Sequence, residues 1–161
     1  MSIVTKAATA LFLSAMPLAP VTAANTPVTS ITYETGPCFG ACPVYRVTVN
    51  ADGTGLFEGQ RFTATSGAQR FRLTGRQYRA FLAYLAPVRP ARGDLRYEGR
   101  EMCPHMITDM PSASVVWHGR RTEQRLYYYF GCDRERNRAL AERLRQAPAL
   151  LPIGDYIGRR P

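Results

Sequence analysis

Two stretches of the chain carry residue types that can do chemistry. The first is Cys38-x-x-x-Cys42-Pro43, with Gly40 between the sulfurs. A thiol pair so close can exchange electrons or bind a soft metal, provided a local positive potential turns one thiol into thiolate. The second is Met102-Cys103-Pro104-His105-Met106, followed by Met110. Thioether, thiolate and imidazole are the ligands Cu(I) prefers, so Met102, Cys103, His105, Met106 and Met110 form a candidate soft-metal set. The competing assignment puts Cys103 in a disulfide and uses the flexible methionines to fill gaps under a long loop.

Other groupings are weaker. Glu101, His105 and Asp109 offer an acid/base set, and an unrecognised catalytic site would lie near Asp109. The chain lacks G-x-S-x-G and H-E-x-x-H, however, so no nucleophile motif accompanies them. Asn50, Asp52 and Thr54 have a calcium-like oxygen spacing without a later bidentate acid, which reads as a turn. His118 falls in an expected hairpin turn and should be exposed. The run Tyr127-Tyr128-Tyr129 puts aromatics on both faces of one strand. An outer tyrosine, or Trp117, can serve a sugar or peptide surface; a strand covered on both sides is the simpler alternative.

The compartment follows from the N-terminus. Lys6, an apolar run from Ala7 to Leu18, and small residues from Thr22 to Ala24 have the layout of a cleavable secretory signal, 1–24 or 1–23. The apolar run is too short to span a bilayer, and Pro17 and Pro20 interrupt it. No cysteine follows it before Cys38, so a lipoprotein anchor is not expected. No transmembrane segment is expected after cleavage, and the product should be periplasmic or secreted. The formal charge is +9, and Lys6 is the only lysine. Arginine grips phosphate through a planar fork, which would suit an anionic envelope component. Scattering of the arginines from Arg46 to Arg160 fits a GC-rich coding sequence better. No nucleic-acid motif accompanies the charge, so no nucleic-acid partner is expected.

The elements that must position these residues read as follows. Residues 25–30 are a polar leader, and 31–158 form a single domain, leaving 159–161 as a tail. Ile31 and Tyr33 alternate with polar neighbours, as do Tyr45, Val47 and Val49, giving two strands around the cysteine loop. Asp52-Gly53 signals a hairpin returning through Leu56 to Glu58, and a short strand over 70–73 points Phe71 and Leu73 inward. Thr74 and Gln77 form a capping box for a helix whose face is Tyr78, Phe81, Leu82 and Leu85. Residues 87–111 read as a long connection. Strands at 114–117 and 124–130 make a second hairpin, and Asp133 caps a last helix to about Gln146, with Leu140 and Leu144 inward. This order implies an α+β fold, a mostly antiparallel sheet with two helices packed on one face and stapled by disulfides.

An even count of cysteines in an oxidising compartment implies disulfides, and four allow three pairings. Gly40 lets the first loop curl, favouring Cys38–Cys42. With the second hairpin turning near 119 and 120, Phe130 would lie opposite residue 109 or so, returning Cys132 to the neighbourhood of Cys103. Bridged Cα atoms must approach within about 7 Å.

The Cys38-Phe39-Gly40-Ala41-Cys42-Pro43-Val44-Tyr45 run, with Asp52-Gly53, Gly59, Thr108-Asp109 and Asp155-Tyr156-Ile157-Gly158, resembles the signature of an uncharacterised bacterial exported family, domain of unknown function 6438. That resemblance implies no activity and no catalytic residues. The C-x-x-x-C-P spacing is also similar to that of copper-chaperone and thiol-reductase proteins on a thioredoxin fold. There the cysteines open a helix whose N-terminus lowers the thiol pKa. Here a strand follows Pro43, so that activation is missing and a structural bond is favoured. The leading expectation is therefore a non-catalytic exported binding or structural module for an envelope component. The alternatives are a soft-metal (copper) or thiol-redox protein, and an enzyme acting near Asp109.

Overall fold

The computed structural model describes residues 27–158. The expected secretory signal, the first residues of the expected leader and the tail therefore lie outside the described residues. The chain runs β1 (Val28–Thr35), β2 (Val44–Asn50), β3 (Thr54–Arg61), β4 (Gly67–Arg72) and α1 (Gly75–Leu85). It continues through β5 (Gly93–Tyr97), α2 (Gly99–Met102), β6 (Ser112–Gly119), β7 (Glu123–Tyr129), α3 (Arg138–Gln146) and α4 (Gly154–Ile157). One seven-stranded sheet results, in the order β4-β3-β2-β1-β6-β7-β5. Every pairing is antiparallel except that of β5 with β7. This is an α+β fold.

Register builds the core. Ile31 lies between Val49 and Trp117, and Tyr33 between Val47 and Val115. Val47 faces Phe57, and Val115 faces Leu126. Because side chains alternate along a strand, these residues share one face and form an apolar band across the sheet. Helix α1 covers it with Tyr78, Phe81 and Leu85, and α3 adds Ala141 and Leu144. The side chain of Leu82, also expected on the inner face of α1, is half-buried at its margin. Fully burying a side chain such as Phe81 or Leu85 contributes about 1.5–3 kcal/mol. Two tyrosines tie the layers together: Tyr33 donates to the Leu144 carbonyl at 2.7 Å and Tyr78 to that of Val28 at 3.2 Å. The capping box at Thr74 and Gln77 closes in both directions.

The opposite face of the sheet is mostly polar and half-exposed, with Val116 buried among its side chains, as antiparallel sheets allow. Arg46 pairs with Glu34, Arg125 and His118 both reach Glu123, and Arg96 lies 4.4 Å from the Tyr127 ring centre. Strand β7 is therefore covered on one side only. Tyr128 is core and Tyr127 half-exposed, and Trp117 is fully buried rather than available to a ligand.

Three local expectations need correction. The connection over 87–111 contains β5 and α2. Only Leu95 and Tyr97, opposite Leu126 and Tyr128, mark the strand, and parallel pairing is a long-range contact with no turn signal of its own. The second hairpin pairs His118 with Glu123 and turns over 119–122, so His118 belongs to a strand and Phe130 lies opposite Pro111. Helix α3 starts at Arg138. The Asp133 side chain does not cap it, because the carboxylate accepts the His105 amide at 3.1 Å and the residue takes a left-handed φ of 37°.

Candidate functional site

Each disulfide anchors a loop at the same end of the sheet. Cys38 is bonded to Cys42 with Cα atoms 5.8 Å apart, and Cys103 to Cys132 at 4.9 Å. No cysteine is free. The first bond closes a loop in which Gly40 has φ 135°, a conformation that side chains resist. The loop is held at both ends. Thr35 Oγ1 donates to the Pro43 carbonyl at 2.8 Å and accepts the Tyr45 amide at 3.1 Å, while the Phe39 amide donates to the Asp109 carbonyl at 3.2 Å. Phe39 itself projects from the surface, 89% exposed.

The second bond fastens the 103–107 segment to the end of β7. His105 and Asp133 exchange contacts in both directions, the Asp133 amide donating to the His105 carbonyl at 2.8 Å. Gly131 lies against the Ile107 carbonyl, which any Cβ would meet at 1.9 Å. Cys132 lends its carbonyl to Tyr128 Oη and Asn137 Nδ2. Burial pushes the Tyr128 phenol up from its ordinary pKa.

These loops enclose two adjoining recesses. One, of about 890 Å³, lies beneath the Cys38–Cys42 loop, with Tyr33, Tyr45, Met110, Leu151 and Ile157 among its walls. The other, of about 1290 Å³, runs between the 104–107 segment and the arginines 134, 136 and 138. Phe130 and Arg145 belong to both, and the Arg145 guanidinium lies 4.7 Å from the Phe130 ring centre.

Within the soft-metal set, the one thiol is bonded to Cys132. Cys103 is fully buried and bonded, Met110 packs partly against the core, and Met102 and Met106 are 41% and 42% exposed. Among the described residues, no three His, Cys, Asp or Glu side chains gather as a metal would require, and no hydrogen bond or ion pair joins Glu101, His105 and Asp109. Asp109 is exposed at φ 64°, its carboxylate accepting from Thr108 Oγ1 at 3.2 Å. Asn50, Asp52 and Thr54 form a self-contained turn. Thr54 donates to Asp52 from both hydroxyl and amide, which holds that carboxyl below its ordinary range.

Sequence reasoning missed the arginine wall and its junction with Phe130. The available signal was the density of arginines over 134–145, which along the chain resembles scatter.

A family model described as "Domain of unknown function (DUF6438)" matches residues 29–148, from β1 through the end of α3 and including all four cysteines. No curated protein and no solved structure matches the chain.

Proposed function

We propose that this chain, which belongs to the DUF6438 family, is an exported, non-catalytic binding module, periplasmic or secreted, that holds its ligand in the recess beneath the Cys38–Cys42 loop. One observation carries the reading: a concave, mainly apolar space of about 890 Å³ whose rim is stapled in place. Small-molecule sites have volumes of about 300–1,000 Å³ and are largely pre-formed. A rim already ordered by a disulfide avoids the entropy cost of ordering it on binding. Export is supported by the signal-like layout of residues 1–24 and by disulfides, which persist in oxidising compartments.

A neutral apolar reporter, N-phenyl-1-naphthylamine, tests the site. Saturable one-to-one binding is expected, weakened by Ala149→Trp at the recess wall. Non-saturable binding that Ala149→Trp leaves unchanged would sink the reading.

A Cu(I) or thiol-redox role through Cys38, Cys42, Cys103, His105, Met102, Met106 and Met110 would require a disulfide to open before its sulfurs act as thiolates. A bonded sulfur is neither nucleophile nor thiolate ligand. An enzyme acting near Asp109 would need partners from beyond Glu101 and His105. The binding module requires neither, which is why it is preferred.

A further inference from the structure

We infer that the ligand is an anionic single-chain amphiphile, its hydrocarbon chain in the recess beneath the Cys38–Cys42 loop and its charged head on the neighbouring arginines. This rests on the binding-module reading above and names the ligand class of that site.

The two recesses differ in chemistry and meet at one residue pair. In the first, the hydroxyls of Tyr33 and Thr35 are already engaged within the fold, so that the floor presents rings and methyl groups. A ligand gains contact there by burying apolar surface. In the second, Arg134, Arg136 and Arg138 are exposed, and no described carboxylate lies within ion-pair distance of them. The two acids nearby are Asp133, whose carboxylate accepts the His105 amide, and Glu135, which is exposed. Arg143, by contrast, turns away to the Tyr84 carbonyl at 2.7 Å.

Arg145 stands on the border. Its guanidinium is oriented by the Phe130 ring and opposed only by Glu142 at 4.0 Å. A guanidinium fork grips carboxylate or phosphate through paired hydrogen bonds. An exposed ion pair alone contributes little, and an apolar recess alone does not discriminate charge. A molecule that joins the two properties uses both walls at once.

Displacement of bound N-phenyl-1-naphthylamine tests this, using dodecanoate, dodecyl phosphate and the neutral dodecanol, all below micelle-forming concentrations. The expected result is that both anions displace the reporter at roughly tenfold lower concentration than the alcohol, and that high salt narrows the gap. The double variant Arg134→Gln/Arg138→Gln, at positions that line the second recess and not the first, should bind the reporter as before and lose the preference. Stronger displacement by the carboxylate points to a fatty-acid source, and by the phosphate to a lysolipid source. Equal displacement by the alcohol, or a preference that survives in the double variant, would overturn the proposal while leaving the recess as a binding site. Failure of the reporter to bind the native protein would overturn the binding-module reading itself.

Discussion

Cys132 is a junction at this end of the sheet. Its sulfur bonds Cys103 and its carbonyl accepts from Tyr128 and Asn137, with both cysteines fully buried. The bond spans 29 positions, and cross-linking a loop of that length stabilises by about 3–4 kcal/mol, chiefly by restricting the unfolded chain. Cys132→Ser should therefore lose about 3 kcal/mol in urea unfolding and still fold in the cold. The native protein treated with a reductant should fall further, because Cys38–Cys42 opens as well. A change below about 1 kcal/mol would mean that the bond restricts little of the unfolded ensemble. In non-reducing peptide mapping the linked pairs should be Cys38–Cys42 and Cys103–Cys132, with no alkylatable thiol.

Among the elements, α1 is the one most fully specified by its own residues. The capping box starts it, the 3.6-residue spacing of Tyr78, Phe81 and Leu85 turns one face to the sheet, and Pro87 ends it. Phe81 is fully buried, and emptying such an aromatic site costs about 3–5 kcal/mol. Phe81→Ala should show that loss in urea unfolding with an unchanged slope; a loss under about 1 kcal/mol would contradict its place in the core. Strand β5 is the opposite case. Its neighbour β7 comes some 30 residues later, pairs in parallel and has no hairpin to announce it. Helix α3 is intermediate. Its apolar positions Ala141 and Leu144 are legible, but its start depends on whether Asp133 caps it or holds His105, and that choice belongs to the tertiary contact.

At the scale of the molecule, the signal-like N-terminus predicts that protein recovered from the periplasm or medium begins near Asn25, and N-terminal sequencing that finds Met1 would refute it. The sheet itself was legible because local alternation, turns and capping are short-range properties of the chain, and antiparallel hairpins keep partners close in sequence. Residues such as Ile31, Val47 and Val115 declare their inward face without knowledge of their partners. The candidate site obeys a different rule. Phe130 and Arg145 meet across the fold, the 104–107 segment reaches Asp133 only through the end of β7, and the arginine wall exists only once residues 134–138 lie beside the 104–107 segment. The sequence by itself determined which faces would be buried, because burial follows from residue type and period. Only the tertiary structure decided which exposed residues would stand side by side, because no local energy term couples groups that distant loops bring together.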